Sequence, residues 1–372
     1  MNTKYSSKLD KLRARRSPTS KSTSLSKAIA MDSADSRPVL ESFEGKGKGD
    51  ATRYALGCMA EVPPEYTATS LRDGKRVADQ LTGQTVFDVT TRLQGSVPLN
   101  IHIYASSDVD LLVLANWFVK VRLPEVIPGT YNFATGPASM EDELLKLRSF
   151  CERFLATKYP AADVDISGAK SIAVSGGSLA RKIDVVPSHW VDTIEYQQNN
   201  FEVYRDVAIL EKVKKETLVN RPFMHMAMID AKDTSSNGQA KRAIRLLKCL
   251  CRDADTYIAL SSYDIASLIY HMPNANLSVS EFFPLQLLDR AELYLRSLEA
   301  NQRYATSLQT PDGTRAILDS FEKVIAVSLL RQELTDAIDN VAAEYNNTLP
   351  FIIDRSRALE TARKTLNETL IY

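Results

Sequence analysis

The chain has 372 residues, enough for two domains with their own hydrophobic cores, and its 44% hydrophobic and 25% charged residues are those of an ordinary globular protein. Lys+Arg and Asp+Glu balance at 46 each, so no global field argues for nucleic acid, a membrane or an acidic partner. The longest apolar stretch, around residues 111–121, contains Asn116 and Lys120 and is too short to span a bilayer.

Residues 1–50 depart from this balance, with eleven Lys/Arg against six acids, and residues 14–26 are rich in Ser and Thr. This composition reads as a basic, flexible N-terminal arm, with phosphate binding as the sharper alternative. No basic segment followed by an apolar run opens the chain, so no secretory signal is expected. Cys58, Cys151, Cys249 and Cys251 make neither a paired zinc spacing nor a disulfide framework. They read as reduced thiols, which points to a cytoplasmic protein.

After an irregular stretch over 51–68, with a loop at Pro63–Pro64, residues 70–81 carry helical spacing at Val77 and Leu81 behind the N-cap candidate Ser70. Residues 85–93 are β-branched and alternating, and predict a strand. A Gly95–Ser96 turn follows, then a second strand over 108–114. Residues 141–158 predict a helix. Residues 163–190 form three short β-rich runs broken at Ser167–Gly168 and Gly176–Gly177, read as an antiparallel meander ending in a strand over 182–186 that Pro187 closes. From about 205 the pattern turns helical, with apolar stripes over 239–253, 262–272, 283–299, 315–344 and 352–370. The expectation is an α+β protein: a basic arm over 1–50, an α+β half over 51–204 and a helical half over 205–372.

The chemistry concentrates in three aspartates. In a strand, residues i and i+2 share a face, so Asp108 and Asp110 project side by side. Adjacent carboxylates repel unless a cation lies between them, and Mg²⁺ prefers such oxygen ligands together with substrate phosphates. The preceding Gly95 lets a phosphate approach the backbone, and Ser96 supplies hydroxyl and N–H donors. Asp184 lies opposite Ile183 and Val185 on its strand and is the candidate third ligand of a two-metal site. Alone, a D-x-D reads first as solvated loop or strand-edge acids, and Asp184 as an exposed strand carboxylate; the Gly-Ser turn and the apolar strand that Asp108 and Asp110 open add the weight. A second D-x-D, Asp163-Val164-Asp165, lacks the Gly-Ser turn and reads as a solvated strand start. In the helical half, Lys241, Arg245 and Lys248 align on one stripe, either a solvated face or a grip for the β- and γ-phosphates. Ser262 can cap its helix or donate to a phosphate, and Tyr263 can pack or stack on a base.

Taken in order, these pieces resemble the cyclic GMP–AMP synthase/DncV-like nucleotidyltransferases, the bacterial CD-NTases of CBASS anti-phage signalling, relatives of the oligoadenylate synthetases. Gly95-Ser96 resembles the family's G-S turn, Asp108-Val109-Asp110 its D-x-D and Asp184 its third acid. RLLKCL (245–250) and SSYDIASLIYHM (261–272) resemble the stretch that meets the nucleotide. The resemblance implies a polymerase-β-like palm with a mixed or antiparallel sheet, a helical second lobe and a cleft between them. It implies Asp108, Asp110 and Asp184 as catalytic metal ligands for two Mg²⁺ (or Mn²⁺). It places Gln94, Gly95, Ser96, Arg245, Lys248, Ser262 and Tyr263 at the nucleotide. ATP and other NTPs would be the substrates, and a cyclic di- or trinucleotide would be the product, read by a separate effector. The alternative product is a linear oligoadenylate, or a nucleotide added to RNA or a small molecule. A third reading is a degenerate, non-enzymatic binding module. The zinc-bearing DNA-binding insert of the animal enzymes has no counterpart here, so activation by double-stranded DNA is not expected. A regulatory protein partner fits the family.

Overall fold

The structure, a computed structural model, describes residues 3–16, 42–104, 107–133 and 139–372. Its helices are α1 (Thr3–Arg16), α2 (Asp50–Met59), α3 (Pro64–Thr82), α4 (Met140–Lys158), α5 (Ile194–Asn199), α6 (Pro222–Ser235), α7 (Gln239–Asp253), α8 (Ser262–His271), α9 (Asn274–Leu277), α10 (Gln286–Ala300), α11 (Gln302–Ser307), α12 (Phe321–Tyr345) and α13 (Arg355–Glu368). Its strands are β1 (Val89–Gln94), β2 (Val109–Val121), β3 (Ala162–Asp165), β4 (Ile172–Gly176), β5 (Ile183–Asp192), β6 (Asp206–Glu211) and β7 (Glu216–Asn220).

The strands form one mixed sheet in the order β1-β2-β5-β4-β3, with β6 pairing the far end of β5 and β7 pairing β6. β2 and β5 are parallel and the other pairs antiparallel. Alternation sorts the residues of β2 and β5 onto two faces. Val109, Leu111, Val113, Ile183 and Val185 pack beneath α3 and α4 against Val77, Leu81, Leu144, Leu147 and Cys151. Leu112, Leu114 and Val186 join Trp190, Val207 and Ile209 on the other face. Asp110 and Asp184 share that second face, at the end nearest the helical lobe.

Several boundaries differ from the expectation. The first part of the expected arm is a packed helix. α1 buries Tyr5, Leu9 and Leu12 in the helical core and pairs Lys8 with Glu333 at 2.6 Å and Arg15 with Asp253 at 2.5 Å. Residues 17–41 lie outside the described residues. α2 carries little sequence periodicity because Ala51, Thr52, Tyr54, Ala55, Leu56, Cys58 and Met59 are all buried, leaving no polar face to alternate with. Pro63–Pro64 opens α3 instead of interrupting the chain, since proline suits the first helical position. β5 runs through Pro187 to Asp192. Proline is tolerated there because β4 pairing ends at Val185 and β6 pairing begins at Ser188, so no ladder bond on that side is lost. The sheet also claims β6 and β7, which places the change to helix at residue 222, not 205. The helical lobe is therefore assembled from both ends of the chain, α1 and α2 packing with α7 and α12.

Candidate active site

Cross-strand register builds the site. Gln94 lies opposite Asp110, and Asp110 opposite Asp184, so the three form a row across β1, β2 and β5. Gly95 follows at φ +81°, and a Cβ there would stand 2.3 Å from Asp110 Oδ2, so glycine is required both for the turn and for the closeness of the carboxylate.

Gln94, Gly95, Ser96, Asp108, Asp110, Asp184, Ser262 and Tyr263 all line one cavity of about 500 Å³ between the sheet and the helical lobe. That volume is within the range of small-molecule sites. Burial, then the charges of Asp184 and Asp108, pushes the Asp110 carboxyl up to about 7. Burial likewise raises Asp184. Asp184 Oδ1 is buried and meets the Lys182 ammonium at 3.3 Å without a well-formed hydrogen bond. All-oxygen donors, mutual repulsion and an under-bonded carboxylate oxygen suit a hard divalent cation. In this arrangement, however, no three His, Cys, Asp or Glu side chains among the described residues are gathered closely enough to hold a metal. A lysine stands among them: Lys182 Nζ is 2.9 Å from Asp108 Oδ2 and 3.3 Å from Asp184 Oδ1.

The basic stripe on α7 is placed differently from the phosphate grip expected of it. Arg245 is buried, its Nε donating to the Met59 carbonyl at 3.0 Å and its Nη1 to that of Asn100 at 2.8 Å. Lys248 is also buried and donates to the Ile101 carbonyl at 2.6 Å. It lines a smaller cavity adjoining the first, sharing Ser107 and Ser262 with it. Burial brings the Lys248 ammonium down to about 8. Lys241 pairs with Asp230 at 2.6 Å. Arg245 and Lys248 thus clamp the segment after the Gly-Ser turn: carbonyls at helix–loop contacts need donors, and long cationic side chains reach them.

Tyr263 is placed at the cavity, with partners that sequence reasoning missed. Its ring stacks on His225 at 3.9 Å and 17°, and its hydroxyl donates to Asp312 at 2.7 Å. Asn220, His225, Thr314 and Arg315 join the lining. Arg315 pairs with Asp264, whose capping box with Ser261 opens α8, and its guanidinium lies 5.4 Å from the Tyr263 ring. Lys182 was legible in principle, two residues before Asp184 and hence on its face. His225 was not, since it lies on α6, which the periodicity did not delimit, and Arg315 falls in the loop before α12, where the spacing predicts the start of a helix over 315–344. The second D-x-D is exposed, as read, and Asp165 accepts from the Ser167 amide at 2.8 Å.

Comparison with known proteins gives a consistent picture. No family model matches the chain. It is 38% identical over 308 residues to the cyclic dinucleotide synthase CdnE of Yersinia aleksiciae, an alignment covering 82% of this chain and 79% of that one. A c-di-GMP synthase of a Lachnospiraceae bacterium is 28% identical over 66% of this chain and 76% of its own. Among solved structures, the STING-associated CdnE c-di-GMP synthase of Capnocytophaga granulosa superposes with a TM-score of 0.70 at 26% identity, covering 91% of this chain and 99% of that one.

Proposed function

The chain belongs to the CD-NTase family of cyclic dinucleotide synthases, and on that premise we propose that it joins two nucleoside triphosphates into a cyclic dinucleotide at the cavity beside Asp110. The observation that carries the reading is the row Gln94–Asp110–Asp184, set beside the turn at Gly95 and open to a nucleotide-sized cavity.

Asp108, Asp110 and Asp184 are the residues that would hold two Mg²⁺ (or Mn²⁺), which supply charge neutralisation for the triphosphate and activation of the attacking hydroxyl. The polypeptide supplies position. The Ser96 hydroxyl and the amides of the Gly95 turn face the phosphates, and the Tyr263 ring, held by His225 and Asp312, offers a platform for a base. Gln94 and Ser262 provide polar contacts from opposite walls. Lys248 acts from behind, as a positive charge felt by Asp110 and as a brace on the segment after the turn. A ribose hydroxyl attacks the α-phosphorus, pyrophosphate leaves, and the linear dinucleotide re-enters turned around for the second bond.

Three relatives named c-di-GMP synthases make GTP the first nucleotide to test, followed by ATP. The product would act in anti-phage defence through a separate effector, and the STING association of the Capnocytophaga granulosa synthase points to a receptor of that kind. No described helix is long and apolar enough to cross a membrane. The test is to incubate the protein with Mg²⁺ and each NTP, singly and paired, then treat with phosphatase and weigh the products. A phosphatase-resistant dinucleotide at the ring mass is expected. Products that all lose terminal phosphate would replace this reading with linear oligonucleotide synthesis.

A further inference from the structure

The sheet row does not end at Asp184. Asp184 pairs with Ala173 on β4, and Ala173 with Asp165 on β3. Cross-strand partners share a face, so the order Gln94–Asp110–Asp184–Ala173–Asp165 puts the second D-x-D on the same face as the first. Neighbouring strands lie about 4.8 Å apart, so Asp165 is about 10 Å from Asp184 across one small side chain. Lys182, on the same face and half-exposed, bridges Asp108 and Asp184. Its charge also reaches Asp165, whose carboxyl Ser167 and then Lys182 and Lys212 hold below the ordinary range.

We propose that Lys182 is a positioning residue that acts as a cation latch: its ammonium and a divalent cation compete for Asp108 and Asp184, and it yields by swinging across Ala173 to Asp165. The proposal rests on reading the three acids as metal ligands. It gives Lys182 a stated task, holding two repelling carboxylates in place until the ions that enter with a triphosphate displace it. It gives the second D-x-D one too, as the landing point. Metal occupancy is thereby tied to nucleotide arrival, because a bare ion must break the ammonium bridge unaided.

The test is a Mn²⁺ titration of the nucleotide-free full-length protein, with bound ion read by electron paramagnetic resonance. Lys182→Met should bind Mn²⁺ roughly fivefold more tightly than the unsubstituted protein, the factor expected for loss of one exposed ion pair. Lys182→Arg should stay near the unsubstituted value. Asp165→Asn should weaken binding about twofold when Lys182 is present and have no effect in the Lys182→Met background. Equal or weaker binding by Lys182→Met overturns the latch. An Asp165→Asn effect that persists without Lys182 overturns the landing point. Asp184→Asn serves as the control: if it leaves Mn²⁺ binding unchanged, the ligand assignment fails and not the latch alone.

Discussion

Two arrays of charge meet at the cleft, and they are treated in opposite ways. The carboxylates of the sheet row are crowded, partly desolvated and under-satisfied, with one lysine set against two of three acids. The stripe of Lys241, Arg245 and Lys248 on α7 has each cation paired with a carbonyl or a carboxylate, and Arg245 and Lys248 are buried. Charge left short of partners and facing a cavity marks chemistry; charge with its partners found marks architecture.

The sharpest way to break this contrast is Asp184→Ala. It should lower product formation by roughly 10³-fold, as expected for loss of a central electrostatic group, with no fall in melting temperature. Retention of a tenth of the activity, measured as pyrophosphate release, would remove the sheet row from the chemistry. The counterpart on α7 is Arg245→Met. It leaves the Met59 and Asn100 carbonyls without their donors and should cost about 3 kcal/mol of stability by denaturant titration, while KM of the folded enzyme changes little. A variant of unchanged stability with a tenfold higher KM would return the stripe to phosphate binding.

Gly95→Ala tests the closeness of turn and acid. A methyl group 2.3 Å from Asp110 Oδ2, on a backbone at φ +81°, must displace one or the other and should lower kcat about 100-fold, the cost of an ångström-scale misplacement. The smallest effect concerns His225. Burial brings its imidazole down to about 4, with Asp312 opposing and Arg315 reinforcing. The unfolded chain therefore takes up the proton first. The neutral ring's contribution is complete above pH 6.5 and is lost as pH falls through about 4. His225→Phe should recover about 2 kcal/mol of the stability that the unsubstituted protein loses between pH 7 and 4.5. His102, brought down to about 4 by burial and by the charges of Lys248 and Arg245, and His189, also lowered by burial, remain in that variant and keep part of the acid sensitivity.

The contrast also explains what was legible beforehand. Asp108, Asp110 and Asp184 could be placed because a strand has a two-residue period and β2 pairs β5 in register, so spacing fixes both face and neighbour. The α7 stripe followed helical spacing equally well, and the helix bounds agree with the expectation at both ends. Spacing on a helix says which residues share a side and nothing about what that side meets. Here it meets the loop after Gly95 and α2. The largely buried α2 and the fully buried β6 escape the pattern for the same reason: a segment enclosed on nearly every side has little polar alternation to read.

The palm is an insertion between two halves of the helical lobe. α1 contributes Tyr5, hydrogen-bonded to Asp336, and Arg15, paired with Asp253, so the first turns of the chain lean on helices made last. During synthesis the sheet can close as soon as its strands emerge, while α1 and α2 must wait, apolar sides uncovered, for α7 and α12. Ribosome-stalled chains ending near residue 260 should therefore present a protease-resistant palm flanked by cleavable termini, and deletion of residues 3–16 should injure the distal lobe first.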